Sequence, residues 1–277
     1  MHTSYLFTGE YTLVPEDKWQ YWDPDKEPIT APKKYYNIAI CTTCMNRTHD
    51  LERTLPVNIL NNIDYPGVQF VILDYNSADH LDKWMQTHML PYIKSGIVKY
   101  IHTTEPEKYK MGHSRNIAFK AADADIVNNV DADNYIGHHF VHAINDLANI
   151  CPAKAVFSKG KKLIHGRLGL YKDEFMELGG YDESMIGYGA DDKDLMHRAL
   201  ASGYKLMWWN KLGDFMNRIR TPRSEVDKYM EGKWKETEEA NKKIAADNLS
   251  QGNLTVNKNK PWGKAKLVVN FEQEIEV

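Results

Sequence analysis

Two carboxylates separated by one residue follow a strand-like segment near the middle of the chain. Asp131 and Asp133 flank Ala132, directly after the run DIVNNV. Hard divalent cations such as Mn²⁺ and Mg²⁺ take oxygen ligands and also bind phosphate oxygens. The pair therefore suits a metal-bound diphosphate. Viewed alone, it is more simply explained as a polar turn that caps the next helix.

A second acidic group follows a glycine-rich stretch, in the order Gly187, Tyr188, Gly189, Ala190, Asp191, Asp192. Carboxylates at the beginning of a helix satisfy free N–H groups and the helix dipole, which is one interpretation. The other is that one carboxylate faces a cleft and accepts a proton from an acceptor hydroxyl. The two interpretations are evenly balanced when this stretch is viewed by itself.

Further polar residues stand where nucleotide contacts are expected. Asp74 and Asn76 follow an apolar run and suit a uracil edge or a ribose hydroxyl, and Arg47, a few residues after Thr43, suits a phosphate. Arg115 lies near the start of a predicted helix, where free N–H groups favour anions. Turn chemistry or an ordinary helix cap explains each of these stretches equally well.

The elements that position these residues alternate between strand and helix. Short β-rich runs, namely NIAICTT, VQFVILD, IVKYIHT, DIVNNVD and AVFS, are separated by segments with helical spacing of apolar residues. Such alternation predicts an α/β fold with a mostly parallel sheet covered by helices on both faces. Because ligands bind beyond the carboxyl ends of strands in such sheets, Thr43, Asp74 and Asp131 are expected to lie at one edge.

The chain divides into three parts by composition. Residues 1–34 are rich in aromatic residues and proline and are interpreted as an N-terminal arm. Residues 35–215 carry the α/β pattern and form the main domain. Residues 216–277 are more polar and are interpreted as a helical extension followed by a tail of about 25 residues.

Overall composition limits the class of protein. The formal net charge of −3 over 277 residues gives no general basic field for nucleic acid, and no apolar run is long enough to span a bilayer. The N-terminus does not resemble a secretory signal, and three cysteines do not make a disulfide framework. These features favour a cytoplasmic location.

Four motifs in order resemble those of the GT-A-fold glycosyltransferases, especially family 2. They are TTCMNR, VILDYNS, GHSRNIAFKAADADIVNNVDADN and HGRLGLYKDEFMELGGYDESMIGYGADDKDLMHRAL. The last is similar to the carboxyl-terminal motif of β-1,4-galactosyltransferases and polypeptide N-acetylgalactosaminyltransferases. The resemblance covers about residues 36–215 and implies a Rossmann-like GT-A catalytic domain that moves a sugar from a nucleotide-sugar donor.

For the donor site, the resemblance implies that Asp131, Ala132 and Asp133 form the DxD motif. Asp133 would bind the metal, Mn²⁺ or Mg²⁺, and Asp131 the ribose or the metal. Thr43, Arg47, Asp74, Asn76 and Arg115 fall where the nucleotide is held in that family, with UDP as the expected nucleotide.

For the sugar and the acceptor, the resemblance implies roles for a further set of residues. Gly166 and Arg167 fall at positions that line the donor-sugar pocket in those families. Tyr188 replaces the Trp of the family motif and is expected to stack on a sugar. Asp191 and Asp192 replace a Glu-Asp pair whose second member is the base in inverting members.

Two departures from the family pattern concern the donor site. His165 replaces a small residue, and no His follows His197, although relatives usually supply a His as third metal ligand there. Asp214 stands in that place, and we predict it as the third ligand because an oxygen donor suits Mn²⁺ or Mg²⁺.

The predicted reaction is inverting displacement with Asp192 as base. A retaining transferase on the same fold, a metal-dependent nucleotidyltransferase and a non-catalytic sugar-binding module are the alternatives. The acceptor is left open between a glycan, a lipid-linked sugar, a protein and a modified nucleic-acid base, and the oligomeric state is not predicted.

A run of histidines stands apart from these motifs. His138 and His142 share one face of a predicted helix that also carries His139, and together they suggest zinc. A solvated, histidine-rich surface is the favoured interpretation, because no recognised zinc motif surrounds them.

Overall fold

The computed structural model describes residues 19–22, 34–159, 167–209, 216–220 and 222–277. The described strands are β1 Trp19–Trp22, β2 Ile38–Cys44, β3 Val68–Tyr75, β4 Val98–Thr103, β5 Ile126–Asn129, β6 Asn134–Ile136, β7 Ala155–Lys159, β8 Gly169–Tyr171, β9 Lys205–Trp209, β10 Met216–Arg218, β11 Lys266–Val269 and β12 Gln273–Glu276.

The described helices are α1 Thr48–Leu60, α2 Leu81–Trp84, α3 Leu90–Lys94, α4 Met111–Ala121, α5 Phe140–Ile150, α6 Lys172–Glu177, α7 Asp191–Ala201 and α8 Trp234–Ser250. A π-helical turn, Met85–Met89, joins α2 to α3, and a 3-10 helix, Arg223–Lys228, precedes α8. Across the described ranges, no helix is long and apolar enough to cross a lipid bilayer.

The sheet has the strand order β1-β9-β7-β8-β5-β2-β3-β4-β11-β12, and β6 pairs separately with β10. The central pairs β5–β2, β2–β3 and β3–β4 are parallel, whereas β8 and the C-terminal strands run antiparallel to their neighbours. Helices flank this mixed, mostly parallel sheet, which confirms the predicted α/β architecture.

The central strands are apolar on both faces because both faces are covered. In β2, Ile38 and Ile40 face one hydrophobic core, while Ala39 and Cys41 face the other. Side chains of a strand alternate between the two faces of its sheet, so a continuous apolar run fills both cores. This burial holds β2 in the middle of the sheet.

Register places the ends of three strands side by side. Cys44 at the end of β2 is paired with Asp74 in β3, and Cys41 is paired with Asn129 at the end of β5. The residues that follow β2 and β5 therefore leave the sheet at the same edge, as expected for parallel strands.

The chain segments outside the predicted main domain also contribute strands. β1 pairs in parallel with β9, and β11 pairs with both β4 and β12. The expectation of a polar tail is wrong for residues 266–276. The reason is that Leu267 and Val269 are buried against the sheet, in a strand only four residues long between polar neighbours.

Helix α8 is packed on α7 and on the glycine-rich loop before it. Asn248 donates from Nδ2 to the carboxylates of Asp182 and Asp194, at 2.9 Å each. Thr237 accepts from the backbone N–H of Tyr188 at 3.0 Å, and Asn241 donates to the Gly189 carbonyl at 3.0 Å. These bonds fix the loop that leads into α7.

Candidate active site

A cavity of about 650 Å³ lies beyond the carboxyl ends of β2 and β5. Its wall brings together residues from distant parts of the chain that the sequence motifs single out. They are Thr43, Arg47, Arg115, Asp131, Ala132, Asp133, Arg167, Tyr188, Asp191 and Asp192.

The structure gives local roles to the two predicted nucleoside residues at the end of β3. Asp74 and Asn76 are absent from the described residues that line the cavity. Asp74 is buried and accepts hydrogen bonds from the Ser77 N–H and the Tyr100 hydroxyl, both at 2.8 Å. Burial raises its pKa. Asn76 donates to the Pro106 carbonyl at 2.8 Å, so both side chains hold the turn after β3.

Two other predicted residues fall in stretches that the structure does not cover. Gly166, in the predicted donor-sugar wall, and Asp214, the predicted third metal ligand, both lie outside the described residues.

Asp131 is surrounded by donors. Its carboxylate accepts from Asn129 at 2.9 Å and from Arg115 at 3.2 Å, and Arg167 lies 3.8 Å away. Burial favours the neutral acid, but the two guanidinium groups outweigh this effect and lower the pKa of Asp131. Asp131 is therefore a fixed anion at neutral pH.

Asp133 has a different environment. Its nearest cation among the described ion pairs is Arg47, at 3.7 Å, and its side chain is 24% exposed to the cavity. Burial, together with the charge of Asp131, raises the pKa of Asp133 to about 6. A partly exposed carboxylate whose charge is incompletely compensated suits a hard divalent cation. Of the two acids, Asp133 is thus the better placed to hold a metal.

Arg115 links the two acidic groups. It is buried in α4, and its guanidinium donates both to Asp131 and to Asp191 at the beginning of α7. The same guanidinium lies 5.4 Å from the ring centre of Tyr181, which is within the range of a cation–π contact. The carboxylate of Asp191 is therefore occupied inside the protein.

Asp192 is half-buried and lines the cavity. One of its carboxylate oxygens accepts from the N–H of Lys193 at 2.9 Å. Burial raises the pKa of Asp192, although the nearby charge of Arg115 opposes this. A carboxylate that is open to the cavity and more basic than usual can accept a proton from a hydroxyl.

Backbone conformation before α7 explains the glycines of this loop. Gly187 has φ +65° and Gly189 has φ +92°, and a Cβ at Gly187 would lie 2.5 Å from the Glu231 carbonyl oxygen. Only glycine fits such a close approach in the left-handed region. The loop can therefore turn sharply and present Tyr188 and Asp192 to the cavity.

Several lining residues carry no recognisable motif. Tyr109 contacts the Thr43 hydroxyl, and its backbone N–H donates to the Tyr229 carbonyl at 3.0 Å. Arg218 and Arg220 line the cavity beside Tyr229, and Glu238 and Lys242 line it from α8. The C-terminal segment folds back over the site, which no spacing in the sequence indicates.

Two parts of the sequence match models of known protein families. Residues 39–159 match the family described as glycosyl transferase family 2, and residues 146–227 match the family described as N-terminal domain of galactosyltransferase. A search of curated protein sequences gives no significant match.

Three solved structures illustrate the similarity in fold. The mannosyltransferase PcManGT from Pyrobaculum calidifontis, in complex with GDP-Man and Mn²⁺, has 23% identity and a TM-score of 0.52 over 66% of this chain and 58% of that chain. GalNAc-T7 with UDP, GalNAc and Mn²⁺ has 12% identity and a TM-score of 0.56, over 68% and 44%. S. aureus TarS 1–349 with UDP has 13% identity and a TM-score of 0.54, over 69% and 63%.

The present chain thus covers between 44% and 63% of the length of these structures, and the likeness to them shows the fold. The two sequence matches together span residues 39–227, which include all the cavity-lining acids of the DxD and Asp191–Asp192 groups. The sequence matches are to glycosyl transferase family 2 and to a galactosyltransferase family, and the likeness to the solved structures shows the GT-A fold that the sequence motifs predict.

Proposed function

We propose that the chain transfers a sugar from a UDP-sugar to an acceptor hydroxyl by direct displacement, with inversion of configuration. The observation that carries this proposal is the meeting of Asp131, Asp133 and Asp192 in one cavity, although they come from separate stretches of the chain. Asp131 and Asp133 can then help to neutralise the phosphates through a bound metal, and Asp192 can accept a proton, within the same cavity.

Asp133 would hold a divalent cation, Mn²⁺ or Mg²⁺, with Asp131 beside it and Asp214 as the predicted third ligand. When bound, the cation would neutralise the charge that develops on the departing diphosphate. The presence of Mn²⁺ in the PcManGT and GalNAc-T7 structures supports this choice of metal.

The arginines of the cavity would bind the donor. Arg47 stands next to Asp133, and Arg115 and Arg167 both stand next to Asp131, so all three can reach phosphate or sugar oxygens there. Thr43 would contact the nucleotide at the end of β2. The UDP in the GalNAc-T7 and TarS structures supports UDP as the nucleotide, whereas PcManGT holds GDP-Man. Asp74 and Asn76 stay a prediction for the nucleoside.

Asp192 is the proposed general base because its neighbour is already engaged. The Arg115 guanidinium occupies Asp191, whereas Asp192 faces the cavity with only one described backbone bond. Asp192 would take the proton of the acceptor hydroxyl as that oxygen attacks the anomeric carbon, and the nucleoside diphosphate would leave from the opposite face.

The remaining wall would receive the sugar and the acceptor. Tyr188 lies at the cavity with its ring edge-on to Trp234, 6.4 Å between ring centres, and is a candidate to stack on a sugar ring. Gly166 and Arg167 are predicted to line the donor sugar. The acceptor, whether a glycan, a lipid-linked sugar, a protein or a modified nucleic-acid base, would enter beside Glu238 and Lys242 of α8.

A hydrolysis screen of UDP- and GDP-sugars with Mn²⁺ tests the proposal. We expect one UDP-sugar to be hydrolysed, the Asp133→Asn variant to lose this activity and the Asp123→Asn variant to keep it. Asp123 is a matched control because its exposed carboxylate pairs with Lys99, away from the cavity. ¹H NMR of the first sugar product should show inversion. Retention of configuration, or pyrophosphate release in a parallel assay with UTP and a sugar 1-phosphate, would contradict the proposal.

A further inference from the structure

Three side chains that commonly bind transition metals meet on the surface at the beginning of α5. Asp64 lies in the turn between α1 and β3, and His139 and His142 lie at the first turn of α5. The Asp64 Oδ2 atom is 3.7 Å from Nδ1 of His139 and 3.2 Å from Nε2 of His142. These three ligand atoms all lie within 4.8 Å of one another.

The two separations from Asp64 are close to the edge length of a tetrahedral zinc site. Zinc is bound by His nitrogen and carboxylate oxygen at about 2.0–2.2 Å, which places tetrahedral ligand atoms about 3.4 Å apart. The observed 3.2 and 3.7 Å lie on either side of that value. The geometry points to a Zn²⁺ site formed by Asp64, His139 and His142, with water as the fourth ligand.

One of the ligands, His142, is held in place by the fold. The His142 side chain is 26% exposed, and its ring packs edge-on against Tyr65 with 5.1 Å between ring centres. Tyr65 is itself fixed, because its buried hydroxyl donates to the Tyr36 carbonyl at 2.7 Å and lies 2.9 Å from Asn145 Oδ1. A metal entering here therefore meets an imidazole that is already oriented.

The backbone at His139 also points to a constrained position. His139 adopts φ +63°, in the left-handed region that residues other than glycine enter uncommonly. This conformation directs its ring toward His142, with 5.2 Å between ring centres. The partners of His142 are thus His139 and Asp64. The prediction that His138 shares a helix face with His142 is wrong, because α5 begins only at Phe140.

The donor set distinguishes this site from the catalytic cavity. Two imidazole nitrogens and one carboxylate favour Zn²⁺, whereas a set of carboxylate oxygens favours Mn²⁺ or Mg²⁺. Asp64, His139 and His142 are also absent from the described residues that line the cavity. The proposed zinc site is therefore independent of the proposed transfer reaction.

Calorimetric titration of the full chain with ZnCl₂ tests this inference. In an Asp133→Asn background, which removes the proposed metal ligand of the cavity, we expect one Zn²⁺ per chain. Adding His142→Ala or Asp64→Ala should weaken Zn²⁺ binding by about 10- to 100-fold or more. That range is the loss of affinity when a residue that only hydrogen-bonds to a metal ligand is removed, and these variants remove a ligand itself. Adding His138→Ala should leave it unchanged, because His138 is the neighbouring histidine outside the cluster.

Thermal unfolding gives a second measurement on the same variants. Zn²⁺ binds only the folded arrangement of the three ligands, so it should raise the melting temperature of the Asp133→Asn parent and of the His138→Ala variant. It should not raise the melting temperature of the His142→Ala or Asp64→Ala variants. Circular dichroism without metal checks that each variant is folded. The inference is overturned if the folded His142→Ala and Asp64→Ala variants bind Zn²⁺ as the parent does, or if His138→Ala loses it equally.

Discussion

The guanidinium of Arg115, in α4, donates to the carboxylate of Asp191 at the beginning of α7. Both side chains are buried, at 6% and 5% exposure, so the two charges compensate each other inside the protein. This pair separates the roles of two adjacent acids. Asp191 joins α7 to α4, and Asp192 is left to face the cavity.

Asp192→Asn should remove the general base while leaving the site folded. We expect kcat to fall by about 10² to 10⁴ with little change in the Kd of the nucleotide-sugar, because the base acts only on the acceptor proton. Steady-state kinetics and calorimetric donor binding measure the two effects. The Asp123→Asn control should retain parental kcat, and a base role is excluded if Asp192→Asn does so as well.

Asp191→Asn should affect stability more than Asp192→Asn does. It leaves the buried Arg115 without its Asp191 charge partner, and breaking a buried ion pair costs about 3–5 kcal/mol. Urea unfolding compares the free energies of the two variants. Equal unfolding free energies would mean that the Arg115–Asp191 contact does not stabilise the fold.

Mn²⁺ affinity should depend on pH near the pKa of Asp133. That pKa is raised to about 6, and the metal needs the ionised carboxylate, so affinity should rise through pH 6 and fall by about tenfold per unit below it. Without metal, the effect of this carboxyl group on protein stability has the opposite pH dependence. A carboxyl whose folded pKa lies above its ordinary value stabilises the protein at low pH, and this contribution is lost as pH rises from about 4 to about 6.

Calorimetric Mn²⁺ titration between pH 5 and pH 8 measures this dependence, with Asp133→Asn as the reference. The variant should bind weakly at every pH. A parental Mn²⁺ affinity that is constant between pH 5 and pH 7 would contradict a metal ligand with a raised pKa.

The sequence could predict the sheet and its strand ends because apolar runs fill both cores. It could not distinguish a buried acid from one that faces the cavity when the two share the same local pattern. Asp74 and Asp133 both stand at the end of an apolar run, yet Asp74 lies within β3, where it is buried and Tyr100 of the adjacent strand donates to it. Tyr229 reaches the cavity because the backbone of Tyr229 and Met230 pairs with that of Tyr109. Such long-range contacts leave no periodic trace in the chain.

Thr237→Val tests whether α8 positions the glycine-rich loop that leads into α7. The substitution keeps the shape of the side chain but removes the oxygen that accepts from the Tyr188 N–H. Leaving that partly buried donor unbonded should cost about 1–3 kcal/mol and loosen the loop before Asp192, which lowers kcat. Thr87→Val is the matched control, because Thr87 is exposed in the turn between α2 and α3.

Chemical denaturation and steady-state kinetics of both threonine variants decide the question. We expect Thr237→Val alone to lose stability and kcat together. If its unfolding free energy and kcat equal those of Thr87→Val, the contact between α8 and the loop has no role in catalysis.

Deletion of residues 265–277 should destabilise the whole domain, although their composition is that of a dispensable tail. The deletion removes Leu267 and Val269 from the core and leaves Ile101 and His102 of β4 without the strand that pairs with them. Burying each aliphatic side chain stabilises the fold by about 1.5–3 kcal/mol, so we expect a clear fall in Tm. An exposed sheet edge also promotes association between chains, which light scattering detects.

The double substitution Leu267→Ser and Val269→Ser, which keeps the chain length, should reproduce the loss of Tm, whereas Glu274→Ser on the exposed part of β12 should not. Parental Tm in both the deletion and the double variant would show that β11 adds nothing to the stability of the sheet.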